Sequence, residues 1–356
     1  MTAKTLKSFI FVALVSLLAQ PSRAVEESIG TLKLSDLFLE PGFKYVEFRG
    51  GEFQLGNSYV AVAWERDDRL SAVFKIGSKR LIGVPSRYAP EASEDEIGII
   101  EGYAQLDSAY GRIRLGLIPI HFGLEGGDVE SDLDFRRSLM YQTRFLNLRD
   151  IGLSYRIAVN GFFSEWAVHN GEGGAERDYE TWFTGNWGWE NGRTFRVGIS
   201  GTAGRTNPKS TDPGGADSGK TTGFRSDEQA RLRVANVFLR WAPHPVRIGL
   251  EATAGDTFQG DDVMKFRAAH LDFDWRWSEW LSLLVRYDVL NPRNDVDNAE
   301  ITEYTAGIAI RSRYENSVLY VFGTKRVQKN VSPDIHTGMI VWDITPIVSS
   351  ERSRAL

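Results

Sequence analysis

The chain has 356 residues, 47 acidic against 42 basic side chains for a net charge of -5, 12% aromatic residues, 35 glycines and no cysteine. That composition is too apolar and too aromatic for a disordered chain. The missing cysteines exclude disulfide scaffolds, thiolate metal sites and cysteine nucleophiles, and no basic stripe suggests nucleic acid as a partner.

At the start, Lys4 and Lys7 precede the apolar run Phe9 to Ala19, and Ser22-Arg23-Ala24 offers a small-residue cleavage site. Residues 1–24 therefore read as a secretory signal peptide cleaved after Ala24, whose loss of Lys4, Lys7 and Arg23 takes the net charge from -5 to -8. Its apolar run is well short of the ~20 residues that span a bilayer. No later run is long enough for a transmembrane helix, so a membrane protein of this sequence has to cross as a closed sheet. Residues 25–42 are expected as a periplasmic N-terminal segment.

From 43 to 343 the pattern has a period of two. In 150–160, Ile151, Leu153, Tyr155, Ile157 and Val159 oppose Gly152, Ser154, Arg156, Ala158 and Asn160. The same scheme sets Val246, Ile248 and Leu250 against Arg247, Gly249 and Glu251, and sets Leu271, Phe273 and Trp275 against His270, Asp272, Asp274 and Arg276. A β-sandwich alternates as well. Segment length separates the two, since many segments approach the 9 to 11 residues of a tilted membrane strand rather than about five or six.

The expected strands lie near 43–54, 58–66, 69–77, 97–107, 111–120, 150–159, 161–168, 178–189, 193–203, 227–241, 246–255, 265–276, 280–289, 301–313, 317–325 and 335–343. Short turns alternate with long connections near 78–96, 121–149, 169–177, 204–226, 256–264, 290–299 and 326–334. The fold class is thus all-β, a transmembrane up-and-down antiparallel barrel of about 16 strands, with 14 as the alternative, short periplasmic turns and long extracellular loops. Residues 344–356 form a C-terminal tail. Trp64, Trp187, Trp189, Trp241, Trp275, Trp277, Trp280 and Trp342 fall at the short-turn ends of their strands, as an interfacial girdle requires, whereas Trp166 and Trp182 read as core residues.

Connection 121–149 segregates its charges. Glu125, Asp128, Glu130, Asp132 and Asp134 come first, then Arg136, Arg137, Arg144 and Arg149. Folded into a narrow lumen, such a loop sets ion preference through its local field; the alternative is a solvated loop pairing its own charges. Arg136, Arg137, Arg144, Arg149, Asp132 and Asp134 are the constriction candidates. Arg112, Arg114, Arg156, Arg247, Glu251, Asp272, Asp274, Arg276 and Arg286 share the polar parity and are the expected pore lining, with the bracing of the wall by salt bridges as the competing role.

The runs GRIRLGLIPIHFGLEG and FRRSLMYQTRFLNLRDIGLSYR resemble the strand, constriction loop and following strand of the phosphate-selective porin O and P family, over roughly 97–200. The resemblance implies a sixteen-stranded, usually trimeric outer-membrane porin passing small, often anionic solutes, with Arg136, Arg137, Arg144 and Arg149 in the matching loop. The sequence departs from the family in lacking a dense lysine collar and in ending Ser-Arg-Ala-Leu rather than on an aromatic residue.

The histidines His121, His169, His244, His270 and His336 show no metal-ligand spacing. His270 beside Asp272 and Asp274 is the one constellation of note, and without a Gly-x-Ser-x-Gly elbow it reads as lumen lining. The expectation is an exported, non-enzymatic porin of the bacterial outer membrane without cofactor or metal, its partners being outer-membrane lipid, small hydrophilic solutes or anions, and copies of itself in a homotrimer. A non-conducting barrel serving adhesion or a structural role is the alternative, and a barrel phospholipase ranks third.

Overall fold

The computed structural model describes residues 30–344 apart from 55, 79–96, 128, 130–132, 134, 143–145, 172–180, 193, 207–229, 260–261, 295–298, 313–316 and 330. The expected signal peptide and the tail beyond 344 lie outside the described residues.

One antiparallel sheet holds eighteen segments. They are β1 (Thr31–Phe38), β2 (Gly42–Val46), β3 (Gly50–Gln54), β4 (Tyr59–Glu65), β5 (Leu70–Ser78), β6 (Ile97–Ser108), β7 (Gly111–Pro119), β8 (Arg149–Val159) and β9 (Phe162–His169). The rest are β10 (Trp182–Asn191), β11 (Phe195–Thr206), β12 (Ala230–Trp241), β13 (Val246–Gln259), β14 (Asp262–Arg276), β15 (Leu281–Asn291), β16 (Ile301–Arg311), β17 (Ser317–Gln328) and β18 (Val331–Ile344). A one-turn helix, α1 (Leu139–Gln142), lies between β7 and β8.

Each segment from β4 to β18 pairs with the next. The ends join through the first hairpin, because β18 pairs with β2 while β1 pairs with β4. Thr31 lies opposite Glu65, Phe38 opposite Tyr59 and Gly42 opposite Gln54, so β1 and β2 run along β4 and β3 in nearly one register. The first four segments are therefore two interrupted staves, and the barrel has sixteen.

The interruption has a local cause. Pro41 has no N–H to give the ladder, although its carbonyl accepts from Trp342 N at 2.9 Å. Across the hairpin, Gly56 sits at φ 51°, and a Cβ there would strike the Glu40 carboxylate. Glu40 N donates to Ser58 Oγ and Asn57 Nδ2 to Glu40 Oε2, each at 2.8 Å, so the polar groups freed by the break are satisfied.

Three expectations need correction. The first strand is not 43–54, because Phe48 (φ 67°) and Gly50 (φ 90°) turn the chain between β2 and β3. Residues 25–42 do not simply precede the barrel, because β1 supplies half of its closing stave. Connections 256–264 and 326–334 are mostly strand, since β13 pairs with β14 as far as Gln259 opposite Asp262 and β17 with β18 as far as Gln328 opposite Val331.

Burial is inverted relative to a water-soluble fold. Leu153, Ile199 and Val237 are 47%, 54% and 55% exposed, whereas Glu101, Asn236 and Asp288 are 1%, 3% and 1% exposed. A continuous exposed apolar surface of this kind is matched to lipid rather than water. Trp241, Trp275, Trp277, Trp280 and Trp342 are exposed near the short-turn rim. Trp166 corrects the expectation of a core residue: it faces outward at 41% exposure, edge-on to Trp187 with ring centroids 4.8 Å apart, while Trp182 is buried.

Leu250 faces outward between Leu239 and Leu271 in the middle of the wall. Leu250→Arg should destabilise the barrel by about 2–4 kcal/mol, read from urea unfolding in lipid vesicles.

Candidate functional site

The chain leaves the wall at Pro119 and returns at Arg149, and Ile120 N donates to Leu148 O at 2.9 Å, closing the neck of a loop that enters the lumen. Its own amides tie it to the opposite wall. Gly123 N donates to Ser200 Oγ at 2.9 Å, Leu124 N to Glu251 Oε2 at 2.7 Å and Leu139 N to Asp288 Oδ2 at 2.6 Å. Gly123 is required on two counts, its φ of 64° and a Cβ position that would overlap the Glu251 carboxylate.

Apolar contact supports this seat. Phe122, Leu139, Met140, Tyr141, Leu146 and Leu148 pack on the inward-facing Val234, Phe266, Ala268 and Leu290. Phe135 packs on Leu284, Ala309, Tyr320, Phe322, Met339 and Val341. Inward positions of β12 and β14–β18 are thus apolar where the loop lies against them.

The loop is latched electrostatically by Arg286, 4% exposed, whose guanidinium contacts Glu125, Asp272 and the Arg136 carbonyl. Glu125 in turn accepts from Ser138 N at 2.7 Å, just before α1. Burial alone would raise the Glu125 pKa, but Arg286, His270 and the Ser138 N–H outweigh it and hold the carboxyl below its ordinary value, at about 2. Arg137 braces the loop from within, donating to Glu125 O at 2.8 Å and Gly127 O at 3.0 Å.

Glu125, His270 and Asp272 bring one ligand atom each within 4.8 Å of one another, as a metal ion would need. His270 Nε2 has no hydrogen-bond partner among the described residues and lies 3.9 Å from Glu125 and 3.7 Å from Asp272. Arg286 already binds both carboxylates, so a divalent ion would have to displace the guanidinium that seats the loop.

The constriction candidates divide. Arg136 lies on the loop with Nη2 3.3 Å from Gln54 Oε1, half-buried. Arg137 is corrected to an internal strut, because its fork is spent on loop carbonyls. Arg149 is also corrected: fully buried, it binds Glu101 at 3.0 Å, and Lys75 binds the same carboxylate at 2.9 Å, so this triad braces the wall. Asp132, Asp134 and Arg144 lie outside the described residues.

The lining candidates all occupy inward positions. Glu251 and Asp272 anchor the loop with Arg286, and Asp274 lies 3.6 Å from Arg311. Toward the short-turn rim Arg112 binds Asp107 at 2.7 Å, Arg114 donates to Gln105 at 3.0 Å, and Arg156 reaches Glu190 at 3.2 Å and Glu165 at 3.5 Å. Arg247 is half-buried opposite Asp274, and Arg276 is exposed at the rim. Two inward cross-strand pairs join bases, Arg112 with Arg156 and Arg196 with Arg240, and one joins acids, Asp288 with Glu303. Sequence parity also puts Glu101, Asp288 and Glu303 on the inward face, as the structure does, but does not assign their partners, Glu303 being bound to Arg326 at 2.6 Å. Their shared signal is an acid at an inward position with a base two strands or fewer away.

No family model and no curated protein matches this chain. Solved structures do match its fold. OmpT, an outer-membrane protein of Vibrio cholerae, superimposes with a TM-score of 0.60 at 12% identity, covering 89% of this chain and 98% of that one. The anion-selective porin from Comamonas acidovorans gives 0.58 at 10% identity over 89% and 99%, and the outer-membrane channel DcaP of Acinetobacter baumannii 0.60 at 8% over 90% and 98%. At these identities the likeness establishes the barrel fold.

Arg286→Ala strands Glu125 and Asp272 in the interior without their cation, which should cost the docked loop roughly 3–5 kcal/mol and expose 120–148 to protease while the barrel stays folded. Because Glu125 is depressed when docked, its contribution is complete above the ordinary glutamate value of 4.5 and fades as pH falls toward about 2. Protease protection of the loop should therefore hold from neutral pH down to that range and fail below it, and Glu125→Gln should flatten the dependence.

Proposed function

We propose that the protein is an outer-membrane porin through which small hydrophilic solutes diffuse passively, with a mild preference for anions. No bond is made or broken in this reading. The wall has the lipid-facing exterior of a membrane barrel, and the loop between β7 and β8 narrows the bore instead of covering the outside. The fold likeness to an anion-selective porin and to an outer-membrane channel supports the same reading.

The observation that carries the anion preference is the pairing of Arg112 with Arg156 and of Arg196 with Arg240 on the inward face. Like charges directly across a ladder repel, and acids offset these only in part. Glu190 serves both Arg156 and Arg196, at 3.2 and 3.8 Å, while the Nε atoms of Arg196 and Arg240 have no hydrogen-bond partner among the described residues. A passing anion relieves that repulsion. At the loop level the balance reverses, with Glu125, Glu251, Asp272 and Asp288 around Arg286, so the net field is mild. Arg136 is the loop base that we assign to the constriction. Assembly as a homotrimer belongs to the same proposal, one of the matched OmpT structures being a trimer form.

The apolar seat of the loop also favours a second reading, a barrel too narrow to conduct that serves adhesion or a structural role. Planar-bilayer recording separates the two. The purified protein should give stepwise conductance with a reversal potential on the anion side in a salt gradient. Arg196→Gln with Arg240→Gln should shift that potential toward cations, and Arg136→Gln should do so to a smaller extent. Silent membranes with intact folded barrels would favour the adhesion reading, and unchanged selectivity would remove the paired arginines as its source.

A further inference from the structure

Outward positions are apolar or small over most of the wall, but β11, β12 and β14 carry a cluster of bases there. Arg205 and Arg231 face each other across β11 and β12, Arg233 is the next outward residue on β12, and Lys265 and Arg267 follow on β14. All five are exposed, and none makes an ion pair with a described residue. Asp256, opposite Lys265, is the acid among them. Strands lie about 4.8 Å apart, so the four strands bring the cluster within the width of a single multi-chain lipid.

Depth fixes the environment. Arg233 is eight residues from the girdle residue Trp241 on the same strand, about 27 Å of strand or roughly 20 Å along the membrane normal at the usual tilt. An apolar band about 25 Å tall then ends near these bases, on the long-loop side. Directly below them, toward the midplane, lies a depression of about 580 Å³ flanked by Ile199, Val237 and Val289 and floored by Ala235, Ala252, Ala254 and Ala269. Glu300 at its margin is already engaged by Lys329 at 3.4 Å.

We infer that this face binds a phosphorylated multi-acyl lipid of the outer leaflet, the phosphates resting on Arg233, Lys265 and Arg267 and an acyl chain lying in the alanine-floored depression. Charge selects the occupant: among the described residues, five bases against one acid repel a second copy of the same face and suit a polyanion. Arginine forks match phosphate geometry, and the small side chains leave room for a hydrocarbon chain. The inference is independent of whether the bore conducts.

The test uses the full-length protein in phosphatidylcholine nanodiscs doped with bisphosphorylated hexa-acyl lipid A, retained lipid being counted by native mass spectrometry. The wild type should retain this lipid over the same lipid stripped of both phosphates. Arg233→Gln, Lys265→Gln and Arg267→Gln together should lower retention about 100-fold. Ala252→Trp, which fills the depression and leaves every charge in place, should also reduce it, and inorganic phosphate should not substitute for the lipid. Retention that ignores the phosphates or survives the triple variant would overturn the inference. So would a triple variant whose sole change is dissociation of an oligomer, which would make the face an interface between copies. All variants lie on exposed outward positions, and heat-modifiable migration verifies that each barrel is folded.

Discussion

Hydrocarbon offers no hydrogen bonds, so a sheet within it cannot have a free edge. Every other feature of this molecule follows from how the chain meets that demand. The closing seam is the least regular part of the wall, since the first stave is broken at Pro41, running along β4 and then β3 on one edge and meeting β18 through β2 and Leu39 on the other. Two staves that are each broken in two still seal the tube, because the Glu40, Asn57 and Ser58 side chains satisfy polar groups released at the break.

Once closed, the tube has an interior, and the chain folds its own loop into it against β12 and β14–β18. The loop is held in two physically different ways. Apolar contact on β12 and β14–β18 gives adhesion without direction, while the Arg286, Glu125 and Asp272 group and the amides of Gly123, Leu124 and Leu139 set orientation. Buried ion pairs are weak sources of net stability but strong sources of specificity, since losing one partner leaves the other stranded. The interior charges are also layered, acids gathering at the loop and arginines toward the short turns, so an ion would meet fields of opposite sign in sequence.

Much of the barrel was legible in the sequence, because a wall one residue thick writes its two environments into alternate positions. Ile151, Leu153 and Tyr155 against Ser154 and Arg156 read correctly as outside and inside. Legibility failed where alternation carries no such contrast. Residues 43–54 alternate on both sides of the turn at 47–49, where Phe48 takes a left-handed backbone, and the polar run in 256–264 reads as loop although 256–259 and 262–264 are paired strand above the lipid. Within the loop, charge type was visible but partnership was not. Arg137 and Arg149 look like Arg136 in sequence, yet one is spent on carbonyls and the other on Glu101, contacts that only tertiary structure assigns. The acids Glu101, Asp288 and Glu303 share the inward parity in the sequence, but their partners, too, are assigned only by tertiary structure.

Sidedness is what distinguishes a lipid-facing wall, and the cysteine-free chain allows it to be read one position at a time. Single cysteines along β8 at 151, 153, 155 and 157, and at 154, 156 and 158, would be spin-labelled in lipid vesicles and their collision rates with oxygen and with a water-soluble nickel complex compared. The first set should favour oxygen and the second nickel, alternating at every residue. Equal water access at all seven positions, or protection from both reagents at both sets, would contradict a lipid-facing wall around a wet bore.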